Sequence, residues 1–372
     1  MNERRDFLKE LIGVTAAFGA PLLGAQRASA QAPSAASGKK LGYALVGLGS
    51  LSEHQIAPAL FRKTTRCKLT GLVSGHPDKA RAWAKKYGVP AANIYDYQNF
   101  DRIKDNPDID VVYVVLPNSM HAEYTIRAAK AGKHVLCEKP MAISVKECDA
   151  MIAACKAAQR KLAIGYRLHF EPNNLELVRL AREKALGSVK LIEAAAGFRI
   201  GDPKQWRLDK ALSGGGSLLD IGIYALQAAR YISGEEPASV SAQWSSTDPA
   251  KFKPGVDESV MFTLKFPSGI IANCASSYAT GLNRFRASAE GGWFEVQPAL
   301  NYTGIEGRMM ARGKMKAFDF PAIDHFAAEM DDFADCILHD KPTRVPGEEG
   351  RRDQRIMAAI YEAAASGKTV AL

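Results

Sequence analysis

The sequence predicts an α/β fold: an N-terminal doubly wound parallel sheet, then a C-terminal α+β domain with an open, mainly antiparallel sheet. Three observations predict it. Apolar strand-like runs alternate with helix-like runs from Leu41 to Cys137 at the spacing of βαβ units. Gly47-Leu48-Gly49 stands directly between the first strand and the first helix. From Val189 onward, strand-like runs follow one another and are joined by turns such as Pro267-Ser268-Gly269.

Composition supports a folded chain. Of 372 residues, 47% are hydrophobic and 24% charged, which excludes wholesale disorder. The 49 Lys and Arg against 40 Asp and Glu give +9, spread among acids without forming a tract. That balance suits solubility and an anionic cofactor and argues against a nucleic-acid partner. The six cysteines contain no C-x-x-C pair and no zinc spacing, so buried free thiols and no metal site are expected.

Residues 1–30 read as a leader. Arg4-Arg5-Asp6-Phe7-Leu8-Lys9 precedes a mildly apolar stretch, Leu11 to Ala25, and then Ala28-Ser29-Ala30, a small-x-small cleavage pattern. The stretch is shorter than the roughly 20 residues needed to span a bilayer, so no stable membrane association is expected. The paired arginines resemble a twin-arginine signal, which implies the twin-arginine export machinery as a partner and a periplasmic location. An ordinary secretory leader with incidental arginines is the alternative. Residues 31–38 are small and polar and read as a flexible arm. The expected domains are 39–162, binding a dinucleotide, and 163–372, binding substrate and supporting oligomerisation.

In the first domain, Leu41–Val46, Lys68–Val73, Val111–Leu116 and Val135–Cys137 read as strands, and 56–61, 79–86 and 122–131 as helices. A glycine turn lets the backbone approach a pyrophosphate at the start of the helix. Ser52 replaces the third glycine of the fingerprint, so the strand-turn-helix context carries the assignment. At the second strand tip the chain reads Ser74-Gly75-His76-Pro77-Asp78-Lys79. With no acid at the tip, Ser74 and Lys79 favour a 2′-phosphate and hence NADP over NAD. Asp78 as a ribose ligand and Lys79 as a solvated surface residue are the competing readings.

Two places could carry chemistry. Val135-Leu136-Cys137 runs into Glu138-Lys139-Pro140, at the edge where a nicotinamide lies, and an ammonium there can steady a developing alkoxide. Pro140 would aim Lys139 through a turn that a cis bond suits. A surface Glu-Lys pair is the plainer reading. Ser213 to Ser217, with three glycines, precedes a helical run from Leu218 to Ile232 in which Asp220 and Tyr224 share a face. Tyr224 offers a phenol as acid or base, and a neighbouring lysine would lower its pKa. The alternative places Tyr224 in the core and Asp220 at the helix start for dipole reasons.

In the second domain, 189–200, 238–245, 259–266, 270–277, 285–289 and 293–296 read as strands and 326–338 and 354–365 as helices.

These residues together resemble the glucose-fructose oxidoreductase, inositol dehydrogenase and MocA family, and within it the glucose-fructose oxidoreductase members, over nearly the whole chain after the leader. The motifs are Gly47-Leu48-Gly49, Ser74-Gly75, Tyr95-Asp96-Tyr97, Leu116-Pro117-Asn118-Ser119, His121-Ala122-Glu123, Ala131-Gly132-Lys133-His134, Glu138-Lys139-Pro140-Met141, Gly165-Tyr166-Arg167, Gln205-Trp206-Arg207, the Gly214–Tyr224 block and Pro346 to Gly350. The resemblance implies that Lys139 is the catalytic lysine and that Tyr224, with Asp220, takes the proton-transfer position, as in the sugar oxidoreductase branch. It implies that Ser74, Gly75, Lys79 and Tyr97 hold the adenosine phosphate. Gly47, Leu48, Gly49, Leu116, Pro117, Asn118, His121 and Glu138 would line the cofactor, and Arg167, Trp206, Arg207 and Tyr302 would close over it. A homodimer or homotetramer follows from the same resemblance. Those members carry a longer arm after the leader, whereas this chain has only residues 31–40 there.

Export of a dehydrogenase raises a difficulty, because free NADP is not expected in the periplasm. A cofactor carried along and reoxidised in place resolves it: an aldose is oxidised at C1 to its lactone, and a second sugar, aldose or fructose, accepts the hydride to give an alditol in a ping-pong cycle. A conventional NADP-dependent sugar or inositol dehydrogenase with exchangeable cofactor is the first alternative. A non-catalytic dinucleotide sensor is the second, against which the presence of both Lys139 and Tyr224 argues.

Overall fold

A computed structural model describes residues 40–372. The expected leader, 1–30, and arm, 31–38, lie outside the described residues. The first domain is a six-stranded parallel sheet in the order β3-β2-β1-β4-β5-β6. Its strands are β1 (Leu41–Val46), β2 (Cys67–Val73), β3 (Ile94–Tyr95), β4 (Val111–Val114), β5 (His134–Glu138) and β6 (Leu162–Gly165). Every residue of β1 is buried. This is why the strand reads as a continuous apolar run: a parallel strand covered on both faces gains roughly 1.5–3 kcal/mol per large apolar side chain. Helices α1 (Ala57–Arg62), α2 (Pro77–Tyr87), α3 (His121–Lys130) and α4 (Val145–Ala157) cross between strands. Strand order reverses at β1, between β2 and β4, which opens a crevice at the carboxyl ends of these strands.

The boundary expected at 162/163 falls inside β6, which pairs in parallel with β5 over Leu162–Gly165 and so belongs to the first sheet. Four residues are too few to carry a periodic signal. After α5 (Pro172–Arg182) come β8 (Ser239–Ser245), β9 (Ser259–Lys265), β12 (Gly292–Val296), β13 (Gly307–Ala311), β14 (Lys314–Ala317) and β15 (Val370–Ala371), which with the three strands named next form a second sheet in the order β14-β13-β12-β11-β7-β10-β9-β8-β15. Its middle is β7 (Val189–Gly197), flanked by β10 (Ile271–Ser277) and β11 (Leu282–Ala289). The β7–β10 pair is parallel and the other neighbours are antiparallel.

Helix α6 (Ile223–Ser233) follows a π-helical turn over Leu218–Gly222, where a continuous α-helix was expected from Leu218. Helices α7 (His325–Leu338) and α8 (Gly347–Ser366) complete the fold. The last helix starts at Gly347 rather than at 354. Gly347 and Gly350 read as breakers in the sequence, yet they let α8 approach the first domain closely. A Cβ on Gly347 would stand 2.9 Å from Ile152 and Leu162, and one on Gly350 would stand 2.7 Å from Met141 Cβ. All six cysteines are buried and free, as expected.

Candidate active site

A cleft of about 1060 Å³ runs from the crevice of the first sheet to the inner face of the second. Gly47, Leu48 and Gly49 line one end. Gly47 adopts φ +92°, and a Cβ there would stand 2.2 Å from the Val115 carbonyl oxygen, so only glycine permits the turn. Nothing lies within 4 Å of a Cβ built on Gly49, which faces open space. Ser52, in the position of the missing third glycine, is buried and donates from Oγ to the Gly47 carbonyl at 2.6 Å. It opens a π-helical turn, Ser52–Ile56, that leads into α1.

Ser74, His76, Lys79 and Tyr97 line the same end. Ser74 Oγ accepts from the His76 backbone N–H at 3.0 Å. Lys79 is ion-paired with Glu53 at 3.0 Å, and its ammonium lies 5.4 Å from the Trp83 ring centroid. Gly75 stands behind Tyr97, where a Cβ would meet that ring at 3.1 Å. Leu116, Pro117, Asn118 and Glu138 line the middle. Asn118 Nδ2 donates to the Ser213 carbonyl at 2.9 Å, tying the β4 loop to the glycine block. His121, 1% exposed, lies behind the cleft lining, with its ring nitrogens 2.8 Å from the Leu116 and Pro140 carbonyls. It joins two lining loops and is placed to shape them rather than to meet a ligand.

At the far end Lys139, Asp220, Tyr224, Arg207, Trp206, Arg167 and Tyr302 converge. The Lys139–Pro140 peptide is cis. Lys139 Nζ donates to the Asp220 backbone carbonyl and, at 3.1 Å, to its carboxylate. The other carboxylate oxygen accepts from Arg207 Nε at 2.7 Å and from the Tyr278 hydroxyl at 2.9 Å. Burial opposes the charge of Asp220, but Arg207 and Lys139 outweigh it and hold the carboxyl well below the usual carboxylate range. Burial likewise opposes the Lys139 ammonium, and Asp220 more than restores it.

The Lys139 ammonium lies over the Tyr224 ring, 5.1 Å from its centroid. Asp220 itself meets Lys139, Arg207 and Tyr278, and so fixes the ammonium that lies over the phenol ring. Arg167 stands among rings, 4.9 Å from the Tyr302 centroid, 5.2 Å from Tyr224 and 5.7 Å from Phe326, and donates to the Leu300 carbonyl at 2.6 Å.

The start of the helix bearing Asp220 and Tyr224 is set by Asp257, which is buried. Its carboxylate accepts from the Gly216 and Leu218 backbone N–H groups at 2.7 and 2.8 Å, the Ser217 hydroxyl at 2.9 Å and the Tyr361 hydroxyl at 2.6 Å. Sequence reasoning missed Asp257 and Tyr278, because each meets its partner through the tertiary fold at a separation that no local pattern encodes. The donor set, the glycine cradle and the cleft volume fit a dinucleotide.

A glycine turn at the strand-order reversal, opening on a cleft that ends in lysine and tyrosine, defines a two-domain dinucleotide-binding oxidoreductase. The chain belongs to the GFO/IDH/MocA family. Residues 41–166 match its oxidoreductase domain, the NAD-binding Rossmann fold, and 175–296 match the GFO/IDH/MocA C-terminal domain. An aldose-aldose oxidoreductase from Caulobacter crescentus, solved with glycerol, is 48% identical, with a TM-score of 0.87 over 90% of this chain and 100% of that one. D-xylose 1-dehydrogenase [NADP(+)] of Haloarcula marismortui is 31% identical over 336 residues, 89% of this chain and 92% of the relative. A 3-ketoreductase from Actinomadura kijaniata, in complex with TDP-benzene and NADP, shares the fold at a TM-score of 0.75 and 22% identity, covering 87% of this chain and 98% of that one.

Proposed function

We propose that this protein is an NADP-dependent aldose oxidoreductase that keeps its cofactor bound, oxidises an aldose at C1 to an aldonolactone and reduces a second sugar, aldose or fructose, to an alditol. The observation that carries this reading is the convergence of Lys139 and Tyr224 at one end of the cleft that the glycine turn opens. The 48% identity to a protein named for aldose-aldose chemistry, over that protein's full length, supports the substrate class. The NADP specificity of the xylose dehydrogenase relative agrees with Ser74 and Lys79 at the tip of β2.

Gly47, Leu48 and Gly49 would hold the pyrophosphate, Ser74, Lys79 and Tyr97 the adenosine phosphate, and Leu116, Pro117, Asn118 and Glu138 the remainder. When bound, NADP supplies the hydride acceptor for the first sugar and the hydride donor for the second. Tyr224 removes the C1 hydroxyl proton in the first half-reaction and returns one to the new alcohol in the second. Lys139, fixed by Asp220, places a positive charge against the Tyr224 ring and steadies the developing alkoxide. Arg207, held on the same carboxylate, anchors the Trp206 segment over the cleft.

The leader supports an extension of this reading: the protein is exported by the twin-arginine route already folded and loaded, and acts in the periplasm. Association into a dimer or tetramer is supported by the outer face of the second sheet, where Leu191, Met261, Ile271 and Met315 are exposed. The test is to incubate purified protein with an aldose and no added cofactor. Lactone and alditol in equal amounts are expected, and the Tyr224→Phe variant should lose about 100-fold or more of the turnover while retaining its cofactor. A requirement for added NADP would indicate exchangeable cofactor, and no turnover of any sugar would point to a sensor.

A further inference from the structure

At and beneath the floor of the cleft lie buried acids whose protons the reading above does not assign. Tyr113 on β4 is fully buried, and Glu138 and Glu329, at the end of β5 and on α7, are nearly so. The Tyr113 hydroxyl is 2.8 Å from Glu138 Oε1 and 3.4 Å from Glu329 Oε2, and Glu329 Oε1 has no hydrogen-bond partner. A phenol owns one proton and can serve only one of these carboxyl groups. The shorter contact gives it to Glu138. The longer one is then a favourable contact only where Glu329 carries a proton of its own and donates it to the Tyr113 oxygen.

The surrounding charges agree. Glu138 Oε2 accepts from the Lys139 backbone N–H at 3.3 Å, and the Lys139 and Arg167 charges act on it. Glu329 is favoured by Arg167 but faces Glu138 and, on its own helix, Asp332; Tyr43 from β1 packs alongside as a buried phenol. Burial pushes both carboxyls up, Glu329 the further beyond its ordinary range.

We infer that Glu329 is a neutral acid that donates to Tyr113, which in turn donates to Glu138, so that Glu138 is the anionic carboxylate at the floor of the cleft. Tyr113 and Glu329 are positioning residues acting through Glu138. The consequence rests on the proposed binding of the nicotinamide at the Lys139 end. There, a negative charge favours the cationic oxidised ring over the neutral reduced one and sets how far a given sugar reduces the retained cofactor.

Two measurements test this. The first is the infrared spectrum of the purified protein at neutral pH, which requires no turnover. A protonated-carboxyl carbonyl band is expected, and it should vanish in Glu329→Gln and persist in Glu138→Gln. A band that survives Glu329→Gln, or that vanishes in Glu138→Gln instead, overturns the assignment. The second is the ratio of reduced to oxidised bound cofactor, read by absorbance at a fixed aldose-to-lactone ratio. Glu329→Gln, whose amide can still donate to Tyr113, should match the parent. Tyr113→Phe, which leaves Glu138 without its donor, should shift the ratio about tenfold toward the reduced form. An unshifted ratio in Tyr113→Phe overturns the charge effect, while the proton assignment stands or falls with the infrared band alone.

Discussion

Asp220 organises the end of the cleft where Lys139 and Tyr224 meet. One carboxylate oxygen meets Lys139 and the other meets Arg207 and Tyr278, all within 3.1 Å, in a place where water is scarce. A carboxylate so surrounded is worth more for where it puts its partners than for any net gain in stability, because desolvation consumes much of the Coulomb energy. Removing it is another matter. Asp220→Asn keeps the shape but leaves Lys139 and Arg207 without their counter-charge. We expect a loss of about 3 kcal/mol in denaturant unfolding and a fall in turnover of about 100-fold. A variant with parental stability and rate would contradict the arrangement. Lys139, Asp220 and Tyr224 were legible in the sequence because each sits beside a turn signal, Pro140 in one case and Gly214 to Gly216 in the other. Tyr278 was not, since it reads simply as the residue after an apolar strand and becomes meaningful only 58 positions from its partner.

At the scale of elements, the π-helical turn and the glycine block before α6 act together. Asp257 accepts two backbone N–H groups of this segment, which would otherwise be unpaired at a helix start. Gly216 lies so close to Asp257 that a Cβ would stand 2.1 Å from the Asp257 carbonyl oxygen. Gly216→Ala therefore cannot be absorbed locally. It should cost about 2 kcal/mol, seen as a lower melting temperature, together with a drop in sugar turnover as Asp220 and Tyr224 shift. Unchanged melting would show that the segment yields freely. Strong elements such as β1 and α2 were readable from their apolar runs and periodicity. The two-residue β3, the edge strand β14 and its neighbour β13 were not, because short pairings near a sheet edge are decided by their neighbours and not by their own residues.

At the scale of the molecule, the chain returns from the second sheet to close on the first domain through α7 and α8. Asp353 on α8 accepts from Tyr166 at 2.7 Å, Gln227 at 2.8 Å and Arg230 at 2.6 Å, joining the end of the parallel sheet to the helix that bears Tyr224. Three histidines lose water as the chain folds, His325 fully and His134 and His169 in part. His134, His169 and His325 are each pushed by burial from 6.5 down to about 4, with nearby arginines adding to the effect. The unfolded chain therefore binds more protons than the folded one between about pH 6.5 and about pH 4. Their contribution to stability is complete above pH 6.5 and declines as pH falls through this window. The melting temperature should decrease from pH 6.5 to pH 4, and His325→Asn should make that decline shallower, because protonated His325 would stand beside Arg167. A decline equally steep in the variant would assign it to other groups.

The residues alone determined the two-domain α/β architecture, the glycine turn and the lysine and tyrosine proposed to carry the chemistry, because these depend on local periodicity and on turn residues that carry their geometry with them. Tertiary structure decided which charges meet. Asp220 faces Lys139, Arg207 and Tyr278, Asp257 holds the helix start, His121 sits behind the cleft, and Glu329 reaches Tyr113. Each of these joins residues from distant segments, and the energy of a charge or hydrogen bond depends on distance and burial, which exist only once the chain has folded.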